Sequence, residues 1–500
     1  MLMKHFWIVA ILLFCSFAWG KTYYVDKGNT VADDAKAGTA AEPWKTIAKA
    51  ATVVIAGDSV IVKSGTYNER VSFSSGHSGQ KGNKIVFKAE PRRTVFIQGF
   101  NTGGANYLRI EGFDITCSQG GWLGGGIWIS SSNLEIVDNY CHDIPGPGIQ
   151  SSWSGGTWDS VYIGGNHVYH CQYGITVSGS NFLVENNEVE RLFQYDASGD
   201  CDYSRFFGDN ITFRGNRFHG TVFSEIGNAH LDCWQTFDNN GEHAANVVWD
   251  GNWCSECHEG LMAEGIYHNN THDFTFKNNI FAHSGAWGLC VSDGITNINV
   301  FNNVFYDIRY FGVGFGGSKT KGAVVKNNIF SKCYDHAILV NNGAAPVTED
   351  YNIFDSSTYS PVAAHDKYNV DPQFVDSAKN DFHIKSTSPA VNAGTIVPVA
   401  TDFDGNVRPV NGAYDIGAFE FTNSSIHGGP AKSNRPALQR RILPDQVAAS
   451  FLRGFLRANG SIILYDFAGR RIDAAQLDMQ GTCMVKNRET GAIQRIFVIK

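Results

Sequence analysis

The stretches that decide the fold are LEIVDNY (134–140), VYIGGNH (161–167), FLVENNE (182–188), ITFRGNR (211–217), VVWDGNW (247–253), FTFKNNI (274–280), INVFNNV (298–304) and VVKNNI (324–329). Each is a short run of alternating apolar and polar residues that leads into an Asn, usually preceded by Asn or Gly. The recurring Asn residues are 139, 166, 187, 216, 252, 279, 303 and 328, with gaps of 27, 21, 29, 36, 27, 24 and 25 residues. A period in the twenties with strand alternation inside it predicts a solenoid of parallel β coils. One coil cannot bury its inner face, but a stack can. Asn suits the bend because it tolerates the left-handed region and bonds its own backbone. Stacked Asn amides can also hydrogen-bond along the solenoid.

A second strand follows each bend: GGIWISS (125–131), PGIQSSW (147–153), YGITVSG (173–179), HLDCWQT (230–236), GLMAEG (260–265), GLCVSDG (288–294), GVGFGG (312–317) and AILVNN (337–342). Alternation turns Ile127/Ile129, Ile149, Ile175/Val177, Leu231/Cys233, Leu261/Ala263, Leu289/Val291, Val313/Phe315 and Ile338/Val340 inward. The outward columns then read Trp128, Gln150, Thr176, Asp232, Met262, Cys290, and Ser130, Ser152, Ser178, Trp234, Glu264, Ser292.

The ends break the repeat. Trp44–Ile55 has helical spacing and predicts a helix capping the open start of the solenoid. The repeat stops near Phe421. Residues 423–447, rich in Ser, Gly, Pro and Arg, read as a linker, and 448–500 as a small β-sandwich-like domain with strands near 461–467, 482–486 and 493–499. At the N-terminus, Lys4 followed by the apolar run Phe6–Ala18 and small residues at Ala18 and Gly20 reads as a signal peptide over residues 1–20, too short to span a bilayer. Export permits disulfides. Ten of the eleven cysteines lie beyond the leader, and their coil-like spacing predicts buried core cysteines with at least one disulfide.

Composition agrees with many short strands and turns. Gly is abundant at 54, aromatics reach 13% and charged residues only 18%. The net charge of −8 argues against nucleic acid. From Lys432 onward, twelve Lys and Arg face five acidic residues, which reads as a solvated domain surface. A monomer is expected.

Two groups of segments carry a family resemblance. EPWKTIAKA (42–50) with GDSVIVKSGTYNE (57–69), and SPAVNAG (388–394) with DFDGNVRP (402–409) and DIGAFE (415–420), resemble the opening and the ending of secreted right-handed parallel β-helix proteins of the pectate-lyase-like kind. The resemblance implies an all-β, right-handed β-helix over 21–422. It is weak for reaction, because such folds host lyases, hydrolases, epimerases and adhesins. IILYDFAGRR (462–471) and FVIK (497–500) resemble the C-terminal sorting domain of type IX secretion substrates, which implies a Gram-negative source, release or attachment at the cell surface, and secretion machinery as a partner.

In pectate-lyase-like folds the glycan lies along one outer parallel sheet, and the second-strand stack is the candidate. There His230, Asp232 and Trp234 alternate onto one side, with Glu264 on the next coil. A Trp stacks on sugar rings, and two carboxylates serve as acid and nucleophile or base. Asp232, Glu264, His230 and Arg205 are therefore the candidate catalytic residues. Trp234, Trp128, Gln150, His258 and Glu259 are the candidate substrate contacts. The two longest gaps flank this strand, and the first insertion, QYDASGDCDYSRFFGD (194–209), offers Asp196, Asp200, Asp202 and Asp209 as a calcium loop. Gln235 is placed near the inward column. CSECH (254–258) matches a haem-attachment pattern with no other redox signature beside it, and could alternatively join Cys233 around a metal. GxSxG, Walker and HExxH motifs are absent.

Three functions follow. A polysaccharide lyase on a uronic-acid glycan, with Arg205, Lys277 or His230 as base and calcium near Asp200, Asp202 and Asp232, is favoured by the fold's company. A glycoside hydrolase using Asp232 and Glu264 is favoured by the acid-rich, Lys-poor cluster. A noncatalytic glycan-binding adhesin predicts binding without cleavage.

Overall fold

The computed structural model describes residues 20–118, 125–151, 156–195, 200–238, 241–265, 270–358 and 363–422, and the backbone of four strands between 462 and 498. Residues 1–19 of the expected signal peptide, the expected linker and Asp196 fall outside the described residues. The chain divides into two compact units, Met1–Ser433 and Asn434–Lys500.

The larger unit is a right-handed parallel β-solenoid of about ten turns, as the repeat predicts. Its strands pair in parallel with the coils before and after, and form three sheets. One sheet runs through Glu135–Val137, Tyr162–Gly164, Leu183–Glu185, Thr212–Arg214 and Ala244–Asp250 to Thr348–Asp350. The second begins each coil's longer strands, such as Tyr140–Gln150, His167–Ser180, Trp253–Glu264 and Ile280–Ser292. The third contains Ile127–Trp128, Ser204–Asp209, Asp232–Thr236 and Phe311–Gly316, together with the far ends of those longer strands.

The bend between the first two sheets holds an amide ladder. Asn139, Asn166, Asn187, Asn216, Asn252, Asn279, Asn303, Asn328 and Asn352 are all buried. Each Oδ1 from Asn166 onward accepts both the backbone N–H and the Nδ2 of the preceding ladder residue, as at Asn187–Asn216, where both distances are 3.0 Å. Asp366 takes the final backbone N–H, from Asn352. The ladder Asn is not the left-handed residue. That role falls to the residue before it: Asp138, Gly165, Asn186, Gly215, Gly251, Asn278, Asn302, Asn327 and Tyr351 all have φ near +60°. Gly and Asn recur there because they tolerate that backbone at least cost.

The capping helix is shorter than its pattern, Ile47–Ala51. Thr46 caps it, and the Glu69 carboxylate accepts the N–H groups of Ile47 and Ala48 at 3.0 and 2.9 Å. The smaller unit holds a four-stranded antiparallel sheet of Ile462–Tyr465, Arg471–Ile472, Gly481–Asn487 and Ile493–Val498.

Candidate functional site

The third sheet carries the outward column differently from the sequence alignment. Register runs Trp128, Gln150, Thr176, Arg205, Gln235, Met262, Cys290, Gly314. The strand after His230 is therefore shifted by three residues from its assumed frame, and an odd slip exchanges the faces. Trp234 stands opposite Leu261 in the inward column. It is fully buried and packs edge-on or tilted against Phe213, Phe218, Trp249 and Phe281. It is a core residue and not a sugar platform. Gln235 faces outward instead. Cys233, beside it, is bonded to Cys254. That disulfide removes two thiols from the haem and cysteine–metal readings, and leaves Cys257 buried 3.6 Å from Cys254 Sγ. Of the other described cysteines, Cys141, Cys171, Cys257, Cys290 and Cys333 are free, and all of these but Cys290 are buried, so core cysteines and a disulfide both occur.

A different column gathers the charge. Asp232 pairs in register with Glu259, and Glu259 with Trp287 on the next coil. On the coil below, Asp202 Oδ1 accepts the Asp232 N–H at 3.0 Å. Three carboxylates thus follow one another on consecutive coils, and all three are buried. Over them lies His230, 42% exposed. Its Nε2 is 2.9 Å from Glu259 Oε1, and its Nδ1 is 3.4 Å from Asp232 Oδ1. Among the described residues, none makes a full hydrogen bond to either Asp232 oxygen, nor to Glu259 Oε2. Both ring nitrogens face carboxylate oxygens, and an imidazole can donate from both only when protonated. Asp232 and Glu259 push the His230 pKa up to about 11. Burial pushes the Asp232 carboxyl well above the usual carboxylate range, against the pull of His230.

His258 stands beside this cluster, half-buried. Its ring stacks on Phe223, with centroids 4.9 Å apart and planes 25° apart, and lies 6.0 Å from the His230 ring. Burial, and next the nearby His230, hold its pKa below the ordinary histidine value. The backbone explains its placement. The N–H groups of His258 and Glu259 both point at Leu231 O, at 2.9 and 3.3 Å, where the strand register shifts. Such irregularities re-aim side chains.

The other expected site residues separate. Arg205 is only 3% exposed; it pairs through Nε with Asp202 and through Nη2 with Asp200 at 2.5 Å, and lies over the Tyr173 ring. It cannot reach a substrate as a base. Gln150 is fully buried, whereas Trp128 is partly exposed. Lys277 belongs to the first sheet, paired with Asp250 at 3.5 Å. Glu264 lies five residues along an extended strand from Glu259, the in-register partner of Asp232. That is roughly 16 Å at strand rise. Glycosidase carboxylates stand about 5–5.5 or 6.5–9.5 Å apart, so Asp232 and Glu264 are not such a pair. Burial and Asp293 raise the Glu264 pKa.

Of the residues expected in the calcium loop, Asp196 lies outside the described residues and the other three have protein partners. Asp200 and Asp202 hold Arg205, and Asp209, at the far end of Ser204–Asp209, faces His243 at 3.2 Å. Among the described residues, three groups put one ligand atom each within 4.8 Å of one another: Cys233/Cys254/Cys257, His167/Glu188/Glu190 and His230/Asp232/Glu259. In the last, the imidazolium already supplies the charge that a cation would bring.

The comparison with protein families agrees with the fold. A family model described as "Right handed beta helix region" matches residues 152–321 and 264–377, and one described as "Protein of unknown function (DUF1565)" matches 30–73. The chain is 24% identical over 435 residues to "Uncharacterized protein YwoF" of Bacillus subtilis (strain 168), covering 71% of this chain and 90% of that one. Its structural neighbours include pectate lyase Pel9A (15% identity, 81% of this chain, 98% of that one, TM-score 0.43). They also include a GH136 lacto-N-biosidase from Eubacterium ramulus (12% identity, 66% and 67%, TM-score 0.38).

Proposed function

We propose that this chain is an exported enzyme that cleaves a uronic-acid-containing polysaccharide by β-elimination, with the glycan lying along the third sheet. The observation that carries the reading is the half-exposed His230 ring, set over two buried carboxyl groups with each nitrogen facing one of their oxygens. Elimination needs stabilisation of the charge that develops on the sugar's carboxyl oxygens, and a preorganised cation provides it without reorganising. Hydrolysis needs two carboxyl groups within reach of the glycosidic bond, and Asp232 and Glu259 are instead buried beneath the imidazole.

The charge balance narrows the substrate. His230 and Arg205 are both matched by carboxylates, so this face has no surplus positive charge. It suits a uronyl residue whose carboxyl is esterified, or a free acid that brings its own counter-ion such as calcium. The test is a panel of free and esterified uronans with neutral xylan and glucan, each with calcium and with chelator. Unsaturated ends on the esterified polymers, with calcium stimulation confined to the free acids, is the expected result. Reducing ends without unsaturated product would make the enzyme a hydrolase, and binding without cleavage would make it an adhesin.

A further inference from the structure

We propose that His258 is the base that removes the proton from the carbon α to the sugar carboxyl. The assignment rests on the lyase reading above and deepens it.

Three features single out this residue. The register shift coincides with its placement beside His230, the two rings 6.0 Å apart, so base and cation flank one point. Phe223, itself 44% exposed, stacks on the ring and fixes its plane. The nitrogens also differ: Nδ1 is enclosed without a partner, whereas Nε2 is not among the enclosed atoms and, among the described residues, has no hydrogen-bond partner. That leaves Nε2 for substrate.

The surroundings keep the ring neutral. Two imidazoles 6.0 Å apart resist carrying charge together, and the two carboxylates fix the proton on His230. The other ionisable groups nearby are turned away from His258. Glu259 is directed at His230, Glu256 at Ser255 Oγ and the Gly220 N–H, and Glu225 at Arg191. From the following coil, Ser284 and Gly285 present no charge, and Ser284 Oγ donates to the His258 carbonyl at 2.7 Å.

The step closes without a co-reactant. Nε2 takes the α proton. The C–H electron pair becomes the new double bond between the α and β carbons, through an enolate that His230 stabilises. The bond from the β carbon to the glycosidic oxygen breaks, and the oxygen leaves with that pair. The departing oxygen takes the proton from the His258 imidazolium, which restores the base.

The experiment compares wild-type protein with His258→Ala and His258→Gln on the uronan that wild type cleaves best. Both variants should lose about 10²–10⁴-fold in kcat, the usual span of general base catalysis, with KM nearly unchanged. The acidic limb of the pH–rate profile should vanish, and added imidazole should restore turnover to His258→Ala. A merely structural role would give neither the lost limb nor the rescue. Wild-type cleavage with undiminished kcat in both variants overturns the assignment alone. So does a loss that imidazole cannot rescue in His258→Ala while His258→Gln stays active. Wild-type protein that forms no unsaturated ends on any uronan overturns the lyase reading and this assignment with it.

Discussion

Asn216→Ala tests whether the amide ladder holds the coils in register. The Asn216 side chain makes four buried hydrogen bonds. Nδ2 donates to Val184 O and to Asn252 Oδ1, both at 2.9 Å, and Oδ1 accepts the N–H and Nδ2 of Asn187, both at 3.0 Å. Alanine strands the Asn187 N–H, removes the side-chain bond at Val184 O, and leaves Asn187 Nδ2 only its bond to Ile163 O and Asn252 Oδ1 only the Asn216 backbone N–H. Four buried hydrogen bonds are thus lost where water cannot replace them. At about 0.5–1.5 kcal/mol for each bond, the loss should be about 2–6 kcal/mol. Denaturant unfolding measures it, with hydrogen exchange at the Asn187 amide as the local probe. Asn299→Ala is the control, because that side chain is half-buried and holds only a 3.4 Å contact to Thr275. The control should stay within about 0.5 kcal/mol. If Asn216→Ala also lost less than about 1 kcal/mol, the ladder would be decoration on coils held by their apolar columns, and the reasoning would fail.

Other outcomes follow from the site. Trp234→Ala should cost about 3–5 kcal/mol by opening a core cavity; a loss of glycan affinity at unchanged stability would return Trp234 to the groove. Replacing Cys233 and Cys254 by Ala should cost about 3 kcal/mol, as expected for a loop closed over 21 residues, and equal melting temperatures for variant and parent would contradict it. Glu264→Gln should leave elimination unchanged; silencing would restore a hydrolytic role to that carboxyl. The raised pKa of His230 fixes a sign: its contribution to stability is complete below the ordinary histidine value of about 6.5 and fades as pH rises toward about 11. Denaturation midpoints of wild type, less those of His230→Gln, should therefore fall between neutral and alkaline pH, and a rise would contradict the imidazolium.

The coils were legible because their signals repeat. A ladder Asn and inward Ile127, Ile149 and Ile175 recur in one frame, so an error in one coil is outvoted by its neighbours. The site coil has no such protection. HLDCWQT alternates as well in the wrong frame as in the right one, and the insertions around it remove the spacing that would have fixed the frame. The apolar choice was ambiguous too: Leu231 and Trp234 are both fully buried, yet only Trp234 occupies the inward column. The spacing of Asp202 and Arg205, three residues apart, carried an ion pair that the sequence reading did not draw. His258 was named from the sequence as a candidate substrate contact, but its position against His230 and Phe223 was not, since it depends on the register shift between two coils.

The charged column is hard to explain as structure alone. Its neighbours along the axis show what a purely structural column uses. Pro147 and Tyr173 precede it in register, and Trp287 and Phe311 follow, stacked 5.3 Å apart with planes 2° from parallel. Between these apolar residues stand Asp202, Asp232 and Glu259, at 1%, 0% and 3% exposure. Burying a carboxylate costs several kcal/mol unless charge and hydrogen bonds compensate. Here they compensate only partly, because among the described residues none makes a full hydrogen bond to either oxygen of Asp232. Arg205 offsets Asp202, but the charge over Asp232 and Glu259 is an exposed imidazole, which a solenoid built for stability would exchange for another aromatic rung. A column that gives up packing at three consecutive coils, beneath the longest insertion of the repeat, is one whose stability was traded for holding His230 charged. That argues for chemistry at this face over passive adhesion, since a binding surface needs neither a buried carboxylate nor a fixed proton.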